Sequence, residues 1–322
     1  MATILPGVRV GHYTDPVALT GCTVILPERP AVGGVVVPGR ASGVHGLDFL
    51  GPQHLGEHVH GVVLAGGSAF GLEAIWGVMR WLEERGVGYP VPLTVVPHVA
   101  GAIVFDLGVG DHRVRPDRAM GYAAAAAAVA GPVTEGNVGA GTGCTVGKLR
   151  GRGSAMRGGL GAACVRRDGV EVGALMVVNA VGDVRDPASG RLIAGAREAP
   201  GGRRLLDTAA ALAAGAPAPT GFRPTNTTIG VVVTTAALTK AEAARVAALG
   251  LGGFARALSP PHLATDGDTL FCLSVGDMAA SVDTVGALAA EAVATAIARG
   301  VLTATALPGL PTARDLAAGA AD

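Results

Sequence analysis

The pair Asn226-Thr227 stands at the head of a β-branched run, TTIGVVVTT. A threonine hydroxyl is a weak nucleophile. Making it the first residue of a chain activates it, because its own α-amino group can then take the proton. A free α-amine has a reference pKa of roughly 8, near working pH, and desolvation lowers it further. A lysine amine, at roughly 10, does not serve unless perturbed. Such a threonine has to be exposed by cleavage and held rigidly. Thr227 meets the positional requirement, since it opens a run suited to a sheet interior and only its first residue would face a cleft. The cleavage can be self-catalysed: the Thr227 hydroxyl attacks the Asn226 carbonyl, and water hydrolyses the resulting ester. Backbone strain of order 1–3 kcal/mol at the junction assists. The same residues also read as a turn feeding a strand, because Asn and Thr are good turn formers. Spacing alone leaves both readings open.

Other stretches come close to chemical motifs and fail. GTGCTVGKL (141–149) has the Gly-Lys of a phosphate loop, but the pattern needs Gly where Thr142 stands and Ser or Thr where Leu149 stands. GGSAFG (66–71) fails as a nucleophile elbow at Phe70. In QHLGEHVH (53–60), His54 and His58 would share a helical face, as zinc ligands can. The Glu lies beside the second His rather than in the HExxH arrangement, so the stretch reads as a polar loop leading into a strand. Cys22, Cys144, Cys164 and Cys272 are far apart and form no CxxC pair, which argues against a disulfide framework and a zinc ribbon. No metal and no cofactor are expected.

The elements that must position this chemistry are built from small residues. Of 322 residues, 49 % are apolar, only 3 % are aromatic and 51 are Gly. Such a core packs Ala, Val and Leu with backbones close together. Formal net charge is zero and no basic stripe is visible, which excludes nucleic acid as an expected partner. Only Lys148 and Lys240 among the 25 basic residues are lysines. The opening MATILPGVRVGHYTDP does not read as a signal peptide, and no uninterrupted apolar run of about 18 residues suggests a membrane span. The expected location is the cytoplasm.

Strands are expected over 32–39, 60–67, 173–184 (turning at Gly182-Asp183), 228–235 and 269–276. A helix is expected over 68–86, capped by Ser68, ended by Gly86, and burying Leu72, Ile75, Trp76, Met79 and Leu82 on one face. A second, over 116–131, is so rich in Ala that it must lie against another backbone. Residues 194–226 read as a connector around one short helix near 203–213. A helix over 239–251 opens with a capping box from Thr239 to Glu242. The closing helix spans 283–300 and ends at Gly300. Strands and helices mix without strict alternation, which favours stacked sheets and helices over a doubly wound sheet.

Five blocks in order resemble the DmpA-type family of self-cleaving aminopeptidases and amidases, which includes the β-aminopeptidases and the nylon-oligomer (6-aminohexanoate-oligomer) hydrolases. They are GVRVGHYTDPVALTGCTVIL (7–26), AGGSAFGLEA (65–74), EGNVGAGTGCTVGK (135–148), NTTIGVVVTTAALTKAEA (226–243) and DGDTLFCLSVG (266–276). The resemblance implies an α/β four-layer αββα sandwich like that of N-terminal-nucleophile hydrolases. It implies a single domain processed into 1–226 and 227–322, with Thr227 as the nucleophile. The family's active-site lysine falls on Lys148, and its asparagine near the oxyanion falls on Asn179. Its acidic pair falls on Asp266 and Asp268, and DGD leans toward the nylon-hydrolase branch. Asn179 can donate its amide N–H to an oxyanion, and positive charge on Lys148 favours a neutral amine. Asp266 and Asp268 share one side of an extended segment, where they can orient the amine or Lys148; Asp-Gly-Asp is also turn chemistry. The family's pocket tyrosine falls on Phe105 here, so a hydroxyl donor is missing, and whether Asp106 beside it compensates is left open by the residues. Substrates implied are small peptides with a free N-terminus or short aliphatic amide oligomers. A homo-oligomer, dimer or tetramer, is implied as well. An acyltransferase using the same acyl-enzyme, or an uncleaved ligand-binding protein, are the rival readings.

Overall fold

The computed structural model describes residues 3–216 and 226–318. Its main strands are β1 (Val8–Asp15), β2 (Thr20–Pro27), β3 (Ala31–Val36), β4 (Val44–His45), β5 (His58–Val59), β6 (Gly61–Ala65), β7 (Val99–Ile103), β8 (Gly159–Arg167), β9 (Val170–Asn179), β10 (Thr227–Ala236) and β11 (Thr269–Met278). The main helices are α1 (Ala74–Glu83), α2 (Arg118–Ala126), α3 (Lys240–Ala257) and α4 (Val282–Leu302). One sheet has the order β1-β2-β6-β7-β4 and the other β8-β9-β10-β11-β3-β5. Pairing is antiparallel except for β6 with β7 and β10 with β11.

Both faces of each sheet are apolar, so each face needs a cover. The sheets cover one another: Ile25, Val62, Leu64 and Ala102 of the first meet Leu175, Val177, Ile229, Val231 and Phe271 of the second. On the outside of the second sheet, Val172, Met176, Val232 and Leu270 lie under Val246 and Phe254 of α3 and Val293 and Ile297 of α4. On the outside of the first, Val24, Val63 and Ile103 lie under Ile75 and Val78 of α1 and Ala124 and Ala125 of α2. The result is the expected αββα stack of four layers. Each fully buried Val or Leu contributes about 1.5–3 kcal/mol. Helix α4 has the length and hydropathy of a membrane span, but 67 % of its apolar window is buried in this stack, so it is a core helix.

Helix α2 lies against another backbone, as its alanines require. A Cβ on Gly121 would stand 2.0 Å from the Ala74 carbonyl oxygen, and one on Gly77 only 1.9 Å from that of Arg118. The capping box of α3 forms with both reciprocal bonds between Thr239 and Glu242.

Several local expectations are corrected. Ser68 caps nothing: it sits at φ 55 inside a 3-10 turn over Ser68–Glu73 that has no side-chain cap. The buried face of α1 is Ala74, Ile75, Val78, Trp81 and Leu82, while Trp76 is 43 % exposed. Gly86 does end that segment, at φ 66 with its N–H on Glu83 O. Gly300 does not end α4, which runs on to Leu302. It brings the helix against β8 instead, where a Cβ would stand 2.9 Å from the Gly159 oxygen. Strand β9 stops at Asn179 rather than 184, because Gly182 and Val181 turn to accept the backbone N–H groups of Gly147 and Lys148 at 3.0 and 2.9 Å. The short helix of the connector is Thr208–Ala213, and connector residues 217–225 lie outside the described residues.

Candidate active site

The register of the second sheet sets the geometry around Thr227. Thr227 pairs with Asn179 of β9. On its other side Asn226 bridges Asp266 in parallel, and Ile229 pairs with Thr269. Side chains alternate along a strand. Ile229, Val231 and Val233 point between the sheets, so Thr227 and its neighbour Asn179 fall on that side. Val232, Leu270 and Cys272 point to the helices, so Asn226, Thr228, Asp266 and Asp268 fall on the opposite side. Thr227 is only 2 % exposed. Its hydroxyl donates to the carbonyl oxygen of Asn226. The same oxygen accepts the Gly267 N–H at 2.9 Å. The bond preceding Thr227 therefore has a polarised carbonyl with a hydroxyl directly against it.

Lys148 and Asn179 form one unit. The backbone pairing of 147–148 with 181–182 aims Lys148 at the end of β9. Its Nζ donates to Asn179 O at 2.8 Å and to Asn179 Oδ1 at 2.9 Å. Thr145 N also donates to Oδ1, at 3.0 Å. The Asn179 amide nitrogen donates to Phe105 O at 3.0 Å. One of its two hydrogens is thus taken, which narrows the expected oxyanion role to the other. It also gives Phe105 a part played by its backbone, independent of the missing phenol. Burial pushes the Lys148 amine down to about 7, against the opposing pull of Cys144, Asp266 and Asp106. Asp106 does not stand in for a phenol. Its oxygens accept the Thr20 hydroxyl and the Gly67 N–H, each at 2.7 Å, and burial raises its pKa.

The acidic pair does share one side, but behind the sheet from the Thr227 hydroxyl. Asp268 Oδ1 accepts Thr228 N at 2.6 Å, and its Oδ2 faces His262 Nδ1 at 2.7 Å. Asp266 Oδ2 accepts Leu263 N at 2.9 Å. Burial, then the Asp268 charge, pushes Asp266 up to about 7. Neither carboxylate hydrogen-bonds Lys148 among the described residues; Asp266 acts on it through charge, and Asp268 grips the strand backbone. Asn226 Oδ1 and Nδ2, Thr228 Oγ1 and Asp266 Oδ1 are buried with no partner among the described residues.

Gly267 and His262 escaped the sequence reading. Gly267 acts through its backbone N–H, which residue type does not advertise. His262 sits six residues before Asp268 with φ 52 and carries no motif. Among the described residues no group of three His, Cys, Asp or Glu side chains is placed to hold a metal ion. His60 is a structural acceptor, taking the His98 N–H at 2.9 Å.

Two facing sheets between helical layers, with a threonine heading a central strand, define an N-terminal-nucleophile-type hydrolase fold. Solved structures share it. The L-aminopeptidase D-Ala-esterase/amidase of Ochrobactrum anthropi, described as a variant of that fold, superposes with TM-score 0.72 at 20 % identity, over 98 % of this chain and 93 % of its own. A β-aminopeptidase of a Burkholderia species gives TM-score 0.68 at 21 % identity, over 99 % and 94 %. The chain belongs to peptidase family S58, whose family model matches residues 3–314. An uncharacterized aminopeptidase of Mycobacterium bovis is 40 % identical over 99 % of this chain and 98 % of its own length. A 6-aminohexanoate-oligomer endohydrolase of a Kocuria species is 34 % identical over 85 % of this chain and 74 % of its own. By family, the protein is an amide-bond hydrolase.

Proposed function

We propose that the chain cuts itself between Asn226 and Thr227, and that the freed Thr227 hydrolyses amides through an acyl-enzyme. The supporting observation is the Thr227 hydroxyl hydrogen-bonded to the Asn226 carbonyl, whose oxygen also holds the Gly267 N–H. In the first step Thr227 Oγ1 bonds to the Asn226 carbonyl carbon. Its proton leaves to a base, the peptide C–N bond breaks and the nitrogen is protonated. Water then hydrolyses the ester, leaving a carboxylate on Asn226 and a free amine on Thr227. Lys148, brought down to about 7, has its neutral form available as a base near neutral pH.

In turnover the Thr227 amine takes the hydroxyl proton, the oxygen attacks the substrate carbonyl, and the amine passes the proton to the leaving group. Water repeats the cycle on the acyl ester. The Gly267 N–H and the remaining Asn179 amide hydrogen are the oxyanion donors, each worth about 2.7–4 kcal/mol in such a role. The uncut chain is closed, since Thr227 is 2 % exposed; cleavage is what admits substrate. The substrates we infer are small peptides with a free N-terminus or short aliphatic amide oligomers. Processed heterodimers assembling as a dimer or tetramer in the cytoplasm complete the reading.

Denaturing electrophoresis and N-terminal sequencing test it. Two bands of roughly 22 and 9–10 kDa, scaled by length from 31.7 kDa, are expected, the smaller beginning TTIGVVV. Thr227→Ala stays whole, and its turnover falls at least about 10⁴-fold. Full-length active material would refute the proposal.

A further inference from the structure

Asp268 grips β10 at the first backbone N–H beyond Thr227, accepting Thr228 N on Oδ1 at 2.6 Å. Its second oxygen receives His262 twice: Nδ1 at 2.7 Å and the backbone N–H at 3.3 Å. The ring Nδ1 lies at hydrogen-bond distance from Oδ2, a contact that a proton on Nδ1 satisfies. We propose that His262 is a positioning residue for Thr227, fixing Asp268 and, through it, the head of β10. This rests on the reading of Thr227 as the nucleophile.

The need for such a brace follows from the cut. In the uncut chain Thr227 is restrained from both sides. Cleavage removes the upstream restraint, and the reacting residue becomes a strand terminus, where chains fray. What remains is the ladder to β9, the pairing with β11 that starts at Ile229 and Thr269, and the Asp268 bond to Thr228. A carboxylate held at one oxygen can turn about its broad terminal torsion. His262 holds the other oxygen and removes that freedom. A displacement of about 1 Å at a reacting group costs about a hundredfold in rate.

The local structure of His262 supports a dedicated role. Its φ of 52 lies in the left-handed region, which Gly and Asn adopt more readily. Its ring packs on Phe254 of α3 at 5.2 Å and is 24 % exposed. Among the described residues, Asp268 is the one side chain its ring bonds. Gly or Asn would relieve the backbone; what His adds over Gly is a donor aimed at Asp268.

That contrast supplies the test. His262→Gly and His262→Asn both accept the left-handed backbone. The Asn amide nitrogen falls near the place of Nδ1, whereas Gly keeps only the backbone N–H on Asp268 Oδ2 and offers no side-chain donor. In the purified, cleaved enzyme, kcat of His262→Gly should fall about tenfold to a hundredfold, with KM within about threefold. His262→Asn should stay within about threefold of the parent in kcat. A His262→Gly enzyme with parental kcat overturns the proposal, as does an equal fall in both variants. Should His262→Gly not accumulate, His262→Gln replaces it: its amide lies one carbon further out, and activity equal to that of His262→Asn overturns the proposal. Thr227→Ala separates the two ideas. Activity surviving in Thr227→Ala defeats the nucleophile reading, whereas a dead Thr227→Ala beside a fully active His262→Gly defeats only the role of His262.

Discussion

Lys240 sits at the start of α3 and sends its ammonium group to four carbonyls, those of Phe49, Gly51, His54 and Gly56, at 2.9, 3.2, 3.3 and 2.6 Å. Lys148, 7 % exposed, donates to both oxygens of a single residue, Asn179. The first lysine ties a loop to a helix, and burial lowers the pKa of its amine against the opposing pull of Glu57. The second is buried until its amine titrates near 7, with two buried carboxylates, Asp106 and Asp266, acting on it. The same side chain thus serves as a clamp where it keeps many neutral acceptors and partial contact with water. It becomes a titrating group where burial removes the solvent that would stabilise its charge.

Replacing each lysine by Met tests this contrast. Lys148→Met should lower the rate of self-cleavage by about 10²–10⁴-fold, as expected for loss of a proton-transfer group. Electrophoresis of fresh material measures it, and a parental rate would place Lys148 with Lys240 as a clamp. Lys240→Met should leave kcat unchanged and lower stability by about 1–3 kcal/mol, the worth of hydrogen bonds to a charged group. Urea unfolding of the cleaved enzyme checks this; a collapse of kcat at unchanged stability would contradict it.

The smallest effect concerns pH. Asp266 is raised to about 7 in the folded state, so the native form binds more protons than the unfolded form between about 4 and 7, and stability falls as pH rises through that window. Lys148 is lowered to about 7, so the native form binds fewer protons between about 7 and 10, and stability rises there. Together they give a dip in stability near pH 7, with limbs no steeper than about 1.4 kcal/mol per pH unit. Lys148→Met should lose the alkaline limb and keep the acid one. A parent protein whose stability peaks at pH 7 with no dip would remove the assigned shifts.

Much of the stack was legible in local residue order. The β-branched run at 228–235 forms β10, and Thr239 with Glu242 forms its box, because both features depend on neighbours a few residues away. Thr227 could be singled out because its place at the head of a strand is a local property. Ser68 and Gly300 were misread for a common reason. A cap residue and a helix-ending glycine look the same in sequence whether they cap and end a helix or accommodate a close partner. At Gly300 that partner is Gly159, 141 positions away in the chain.

Periodicity, caps and strand propensity, which act over a few residues, determined stacked sheets and helices and the threonine at a strand head, and the family resemblance implied the four-layer order. Only tertiary structure decided which atoms meet that threonine. The Gly267 N–H on the Asn226 carbonyl, the engagement of the Asn179 amide by Phe105, and the placing of Asp266 and Asp268 behind the sheet all follow from strand register. Register is set by the whole buried face at once, so no short stretch of residues encodes it.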